Sequence, residues 1–495
     1  MTTQSPIIVD LPDEAATAAL AEDVALCLAA GDVVALAGGL GAGKPSFARA
    51  LIRAVADDDR LEVPSPTFTL VQSYPTPRLT IAHFDLYRIA DAEELAELGL
   101  DEAIGEGAVL VEWPERAAAR LPAERLDITF EIAGSGRRAV LTPGTGWLAR
   151  LSRSRAVRTF LDRSGWPGAT RRYLQGDAST RRYERIGRAA GRAVLMDWPP
   201  SVTAAIRDPR AAYRARDVRA FVAVDRALRG EGLSAPAILA ENLAQGFLLL
   251  EDLGPEGVLK DGAPDPERYR LAIDVLAWIH SQPRPSELPL ADGAVHRLLP
   301  LNAAALTAEI ALFVDWYVPH ATGRPLGDAA RVAFADTWAA LFARLADAEK
   351  SWVLFDVQSS NLFWLADRKG LARIGLIDFQ DMFLGPSAFD VASLCQDMRV
   401  TISAPLETAL RGHYVDLRRA ADPRFNEASF AAAYAILAAE RSIKNLGVFA
   451  RLADHVGKPQ YLQHIPRLRA YLRRTLAHPV LSSFALWYER HLPSA

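Results

Sequence analysis

Cysteine is scarce in this sequence: there are two in 495 residues, Cys27 and Cys395, each inside an apolar stretch with helical spacing. So few cysteines exclude a disulfide framework, and both are expected to be reduced and buried. No apolar run is long enough to cross a bilayer. The opening residues, Met1 to Asp10, lack the basic start and apolar core of a signal peptide. The expectation is a cytoplasmic protein with no membrane partner. An excess of one charge is missing too, since 56 basic residues face 60 acidic ones and leave −4. Broad electrostatic capture of nucleic acid is therefore not indicated. Repeats and low-complexity tracts are absent, and 50% hydrophobic with 23% charged residues is the balance of a packed globular chain.

A chain of 495 residues exceeds one compact core of ordinary size, so two or more domains are expected. Ile7–Leu11 and Val33–Ala37 read as strands. Asp13 to Ala29 carries helical spacing and stops before Gly31. A glycine-rich turn leads to a helical segment from Phe47 to Ala56. Strand-like stretches follow at Thr67–Tyr74, Leu79–Tyr87, Ala108–Trp113, Leu126–Ile132 and Arg138–Thr142, with a short acidic helix from Asp91 to Leu98. Strands alternating with helices, with antiparallel additions at the end, predict an α/β layer. The composition shifts between Ala133 and Gly146, a plausible domain exit. Trp147 to Arg163 then reads as a basic amphipathic helix. Its arginines suit either nucleic acid or, as the blander expectation, a solvated face. Beyond Thr170, strand patterns precede long helical ones.

Gly38-Gly39-Leu40-Gly41-Ala42-Gly43-Lys44-Pro45-Ser46 follows a strand and opens a helix, the context of a phosphate loop. There, backbone N–H groups and a lysine cradle phosphate oxygens at a helix N-terminus. The strand–loop–helix placement separates it from a mere glycine turn. Pro45 departs from the pattern, because a hydroxyl normally follows the lysine and binds Mg²⁺. Proline has neither hydroxyl nor N–H, although its fixed φ suits a first helical turn. Ser46 comes one residue late, turned by about 100° around the helix. Nucleotide binding is thus better supported than hydrolysis.

Downstream stand Ser65-Pro66-Thr67-Phe68-Thr69, His83-Phe84-Asp85-Leu86-Tyr87-Arg88 and Val111-Glu112-Trp113-Pro114-Glu115-Arg116. With the phosphate loop, these motifs resemble the bacterial TsaE family over about residues 1–145. That family is the ATPase subunit of the machinery for threonylcarbamoyl modification of tRNA adenosine. The resemblance implies that Gly38, Gly41, Ala42, Gly43, Lys44 and Ser46 hold the phosphates, with Thr67 as a switch-like contact. It further implies Asp85 as a Mg²⁺ ligand, Glu112 as the catalytic acidic residue and Trp113 beside the nucleotide. Partners would be subunits of the threonylcarbamoyl-transferase complex, with tRNA met only indirectly. Asp85 and Glu112 both end apolar strands, where α/β proteins gather ligands. His83 reads as structural.

A second constellation lies far downstream. Asp356-Val357-Gln358-Ser359-Ser360-Asn361 has the Asp and Asn spacing of a kinase catalytic loop, and Asp378 follows within Ile374-Gly375-Leu376-Ile377-Asp378-Phe379. One carboxylate deprotonates the accepting hydroxyl, while the Asn and the second carboxylate hold metal on the phosphates. An apolar hairpin, Phe363–Leu365 with Ile374–Ile377, is expected to carry Asp378 back beside Asn361. Upstream, Gly176-Asp177-Ala178-Ser179 lies where a phosphate-covering loop belongs, and Phe247 to Gly254 suits a connector between lobes. These segments resemble the aminoglycoside phosphotransferase and choline kinase superfamily over about residues 155–490. The nearer likeness is to AmgK-type N-acetylmuramate/N-acetylglucosamine kinases, carried by Gly176–Ser179 with Arg181-Arg182-Tyr183, Val194 to Pro200, and Ile377 to Asp381. It implies Asp356 as base, Asn361 and Asp378 as metal ligands, and nucleotide contacts at Asp177, Ala178, Ser179, Leu250 and Glu251. ATP, Mg²⁺ and a small-molecule acceptor, an amino sugar by resemblance, complete the expected set.

Three departures accompany the likeness: Met196 at the usual strand lysine, Phe355 before Asp356, and Gln358 where His is usual. Phe313, Trp316 and Tyr317 read as core rather than as a sugar platform. Arg441 and Lys444, near Glu440, suit either an acceptor pocket or a solvated helix face. The expected architecture is an α/β P-loop NTPase domain (1–145), a linker helix (146–165) and an α+β bilobal protein-kinase-like domain (166–495), with lobes dividing near residue 254. The competing reading joins a nucleotide-binding interaction module without turnover to a regulatory pseudokinase, or to a kinase of another acceptor such as an aminoglycoside or choline.

Overall fold

The computed structural model describes residues 6–89, 98–117, 120–174, 181–200 and 209–492. The chain forms two compact units, Met1–Trp198 with Leu239–Glu251, and Pro199–Ile238 with Asp252–Ala495.

The first unit opens with β1 (Ile7–Leu11) and α1 (Glu14–Cys27), whose N-cap Asp13 accepts from Ala16 N at 2.8 Å. Next come β2 (Val33–Ala37), α2 (Lys44–Ala56), β3 (Val71–Tyr74), β4 (Thr80–Asp85), α3 (Leu100–Glu106) and β5 (Gly107–Glu112). The hairpin β6 (Leu126–Ala133) and β7 (Gly136–Pro143) ends this run. The sheet order is β1-β7-β6-β2-β5-β4-β3. β2 pairs parallel with both β5 and β6, and β4 pairs parallel with β5. β2 is central, so Val33 to Leu36 are wholly buried, as a continuous apolar run requires. Gly38 leaves β2 at φ 131°, and a Cβ there would lie 2.4 Å from the Phe130 carbonyl oxygen, so only glycine fits.

Two expected boundaries shift. The strand expected from Thr67 begins only at Val71, because residues 66–70 close a turn with Leu70 N on the Pro66 carbonyl at 2.7 Å. The helix expected from Phe47 starts at Lys44, since Pro45 is already preset for a first helical turn. The acidic helix expected from Asp91 to Leu98 falls, but for its last residue, outside the described residues.

Helix α4 (Thr145–Arg163) corrects the solvated-face reading. Trp147 and Leu151 pack into the core of the seven-stranded sheet, while Val157, Phe160 and Leu161 pack under a second sheet. That sheet has the order β11-β12-β10-β9-β8, built from β8 (Thr170–Leu174), β9 (Arg182–Arg188), β10 (Gly191–Asp197), β11 (Ile238–Asn242) and β12 (Phe247–Glu251). Three of the five arginines of α4 are committed to carboxylates. Arg150 binds Asp32 through two bonds of 2.5 and 2.9 Å, Arg153 reaches Asp197 at 2.5 Å, and Arg158 reaches Asp23 at 2.6 Å. At the centre of this joint is Arg171, 1% exposed. It forks onto Glu184 at 2.7 and 2.8 Å, onto Asp23 at 2.7 Å and onto Ser154 Oγ at 3.0 Å. Helix α2 ends in the same network, with Asp57 paired to Arg185 and Asp59 to Arg172 at 2.6 Å.

The second unit is mainly helical. Those that matter here are α5 (Val218–Gly230), α6 (Pro266–His280), α7 (Ala303–Leu312), α8 (Ala388–Cys395) and the long α9 (Glu427–Asp454). Gly447 lets α9 lie against the end of α7, where a Cβ would meet Leu312 C at 2.4 Å. Phe313 and Tyr317 stack at 5.3 Å and are buried, in agreement with the core reading, and Trp316 lies half-buried against His455. The expected hairpin is present as β13 (Leu362–Trp364) and β14 (Ile374–Leu376), with Leu362 opposite Leu376. Cys27 and Cys395 are free and buried, and burial raises the Cys27 thiol to about 11.

Removing one partner from a buried ion network strands the others, at a cost of about 3–5 kcal/mol. Arg171→Met is therefore expected to lower the unfolding transition of the first unit in scanning calorimetry. An unchanged thermogram would contradict the role of Arg171 in the joint.

Candidate active sites

The first site grows from the loop between β2 and α2. Positive φ at Gly38, Gly41 and Gly43 turns the backbone around a hollow at the N-terminus of α2. Lys44 Nζ donates into this loop, to Gly38 O at 2.6 Å and Gly39 O at 3.0 Å, and lies 3.8 Å from the Trp113 ring centroid. Burial lowers the Lys44 pKa, against the charges of Glu112, Glu115 and Asp85. Ala42 is buried behind the loop, Pro45 is exposed in the first turn of α2, and Ser46 is half-buried one position further along.

Parallel pairing of β4 with β5 sets Asp85 opposite Glu112 at the strand ends. Asp85 Oδ2 accepts from Thr67 Oγ1 at 2.8 Å and Ser65 Oγ at 3.2 Å, and Oδ1 accepts from Tyr87 N at 3.1 Å. These bonds explain why residues 65–69 form a turn rather than a strand. Glu112 Oε1 is 3.0 Å from His83 Nε2, and both side chains are buried. His83 was expected to be structural, and it is the direct partner of the expected acidic residue. Its spacing of two from Asp85 put both on one face of β4, a signal present in the sequence. Arg137 Nη2, donating to Gly41 O at 3.1 Å from β7, had no such signal.

The second site is built on α8. Asp390, fully buried, accepts from Leu354 N at 2.7 Å and Phe355 N at 3.0 Å. These bonds hold Phe355 at φ 75°, a left-handed conformation that a bulky residue adopts only when its surroundings impose it. Phe355 O accepts from Arg441 Nη1 at 3.0 Å, and its ring stacks on Phe389. Arg214 and Lys444 lie over that ring at 4.5 and 4.2 Å. Asp397 fixes the other end of the loop by accepting from Ser359 N at 2.6 Å. Gln358, standing where His is usual, is buried, and its Oε1 has no hydrogen-bond partner among the described residues.

Asn361 Nδ2 donates to Asp356 O at 2.8 Å, and Asn361 O accepts from Ile377 N at 3.1 Å. Asp356, Asn361 and Asp378 are thereby drawn to one locus. Asp378 takes a left-handed φ of 61° and accepts from Gln380 Nε2 at 2.9 Å. Burial raises the Asp356 pKa, with the Asp378 charge adding to it, while Lys444, Arg441 and Arg214 oppose it. Two facing carboxylates beside an amide oxygen suit a hard cation that keeps phosphate and water ligands.

The solvated-face reading of Glu440, Arg441 and Lys444 does not hold: all three are buried in α9. Lys444 pairs with Glu309 at 3.2 Å, and Glu309 also accepts from Arg214 at 2.5 Å. Among the described residues, neither buried carboxyl oxygen of Glu440 has a hydrogen-bond partner, and burial, with Glu309 adding, raises its pKa to about 7. Nothing in the sequence announced Arg214 or Glu309, which lie far from the motifs.

Leu250 and Glu251 end β12, opposite Val194 and Ala193 of β10, and the division between the two compact units falls directly after Glu251. Asp177, Ala178 and Ser179 lie outside the described residues.

Comparison with known proteins matches two families to successive stretches of the chain, and the second match begins inside the first compact unit. The family of threonylcarbamoyl adenosine biosynthesis protein TsaE matches residues 11–140, and the phosphotransferase enzyme family matches residues 170–427. An N-acetylmuramate/N-acetylglucosamine kinase of Caulobacter vibrioides is 36% identical over 361 residues, covering 69% of this chain and 97% of that protein. One of Pseudomonas putida is 31% identical, covering 63% and 84%. A tRNA threonylcarbamoyladenosine biosynthesis protein TsaE of Rickettsia felis is 38% identical over 128 residues, 26% of this chain and 74% of that protein.

The Glu440 carboxyl holds its proton more tightly folded than unfolded. Its stabilisation is full below the ordinary value of 4.5 and falls as pH rises towards about 7. Urea titrations from pH 4.5 to 7.5 are expected to show that Glu440→Gln removes part of this decline. Parallel wild-type and variant profiles would refute the assignment.

Proposed function

The chain belongs to the TsaE family through its N-terminal part and to the phosphotransferase enzyme family through its C-terminal part, and on that premise we propose that this ATP-dependent phosphotransferase is bifunctional. Residues 1–145 form the nucleotide-binding ATPase module of tRNA threonylcarbamoylation, 146–165 the linking helix, and 166–495 an amino-sugar kinase working in the cytoplasm.

In the kinase part, Asp356 accepts the proton of the acceptor hydroxyl as that oxygen bonds to the γ-phosphorus of ATP and the bond to ADP breaks. Asn361 and Asp378 are the residues to hold Mg²⁺, which when bound neutralises charge on the transferred phosphoryl group. Asp177, Ala178, Ser179, Leu250 and Glu251 are assigned to the nucleotide. The observation that carries this reading is the hydrogen-bonded convergence of Asp356, Asn361 and Asp378. The cations Arg214, Arg441 and Lys444 beside Asp356 favour an acceptor bearing negative charge, such as the muramate named for the relatives, over a cationic aminoglycoside or choline. They also argue against a pseudokinase, in which an electrostatically tuned base has no task.

In the N-terminal part, Gly38, Gly41, Ala42, Gly43, Lys44 and Ser46 are assigned to the phosphates, Thr67 to the nucleotide as a switch-like contact and Asp85 to Mg²⁺. Glu112, backed by His83, is the acidic residue of the site, and Trp113 lies against the nucleotide. Partners are the subunits of the threonylcarbamoyl-transferase complex, with tRNA reached through them. Pro45 favours binding without rapid turnover.

Two measurements test these readings. Asp356→Asn is expected to lower ATP-dependent phosphorylation of N-acetylmuramate and N-acetylglucosamine by about 10²–10⁴-fold, the usual contribution of a general base. Transfer at the wild-type rate would remove Asp356 from the mechanism, and transfer to neither sugar would remove the acceptor assignment. Pro45→Thr, assayed in the Asp356→Asn background, is expected to raise ATP hydrolysis by the N-terminal site. Robust hydrolysis with Pro45 in place would refute the binding-only reading.

A further inference from the structure

A cavity of about 360 Å³ lies in the first unit, between α1, α4 and the strands β8–β10. Six arginines line it: Arg78, Arg150, Arg153, Arg171, Arg181 and Arg182. Among the described residues, Asp32 pairs with Arg150, Asp197 with Arg153, and Asp23 and Glu184 with Arg171.

Arg78 and Arg182 differ from those three arginines. Arg78 donates to the backbone carbonyls of Ala25, Leu26 and Leu28 at 2.7, 3.4 and 2.6 Å, capping the end of α1. Among the described residues, neither Arg78 nor Arg182 has a carboxylate at ion-pair distance. Arg182 is exposed and stands opposite Asp197 in the β9–β10 register, yet both oxygens of Asp197 are taken by Arg153. Burial lowers the Arg78 pKa, and the like charge of Arg182 lowers it further. The Tyr173 ring, which also lines the cavity, lies 4.7 Å from the Arg78 guanidinium. Guanidinium groups that face one another across a cavity repel, and an anion between them turns that repulsion into charge-assisted hydrogen bonds. No residue of the loop from Gly38 to Ser46 lines this cavity, so it is separate from the first nucleotide site.

We propose that this cavity is a binding site for a small phosphate-bearing anion, either a phosphate monoester or free phosphate or pyrophosphate. Arg78 and Arg182 hold the phosphoryl oxygens, and Tyr173 lines the same cavity. The planar fork of arginine suits phosphate oxygens better than it suits halide.

The test is calorimetric titration of the full chain carrying Lys44→Ala and Asp378→Asn, which silence the two nucleotide sites. Orthophosphate, pyrophosphate and glucose 1-phosphate are the probes. Saturable binding is expected for at least one of them, weakened about tenfold by Arg182→Glu, the loss of one charge-assisted partner. Tyr173→Glu, at an equally exposed position, gives a second reading should Arg182→Glu fold poorly. Tighter binding of glucose 1-phosphate than of orthophosphate would identify the ligand as an ester, and the reverse order as free phosphate. Equal affinity in parent and both variants, or no saturable binding of any probe, would overturn the proposal.

Discussion

Asp390 accepts the N–H groups of Leu354 and Phe355, and the chemistry of the second unit hangs from those two bonds. A buried carboxylate is costly unless hydrogen bonds satisfy it, and a backbone turned left-handed inside a protein leaves N–H groups in need of acceptors. Each requirement meets the other here. With Phe355 held at φ 75°, its carbonyl faces Arg441 and its ring becomes a surface for Arg214 and Lys444. The residue that follows is Asp356, delivered into a field of three cations and one neighbouring carboxylate. Phe355 in place of the more common arginine is thus compensated rather than vacant: the positive charge comes from other elements and rests on an aromatic face.

The first unit relies on a comparable device with the charges reversed. Arg171, buried, is surrounded by Glu184, Asp23 and the hydroxyl of Ser154, which come from a strand and two helices of different sequence origin. Helix α4 is shared between two apolar cores, so it is part of the packing and not a tether. Through α2, the phosphate loop at Lys44 is joined by one rigid rod to Asp57 and Asp59, which pair with the β8–β9 hairpin. The segment carrying the other family's phosphate-covering motif lies between those two strands in sequence. The arginine-lined cavity between α1, α4 and β8–β10 lies at the same junction.

The phosphate loop was legible because strand, glycines, lysine and helix are contiguous, and local backbone physics specifies each. The convergence of Asp356 and Asn361, with Asp378 after a hairpin, was legible for the same reason: a short span of chain fixes their separation. The acidic pair Asp85 and Glu112 could be expected at strand ends, since both close apolar runs. The turn at residues 66–70 was missed because its cause is a long-range bond from Thr67 to Asp85 that outweighs local strand preference. The α4 arginines were misjudged because amphipathic spacing shows that a face is charged, not what covers it.

By itself the sequence determined the two families and their order along the chain, since each is written in contiguous motifs whose geometry is local. Tertiary structure alone decided which charges meet. The pairing of His83 with Glu112, the gathering of Arg214, Glu309, Glu440 and Lys444 around Asp356, and the burial of Arg171 all join residues distant in sequence. The physical reason is that electrostatic energy depends on distance and burial in space, and neither is a function of position along the chain.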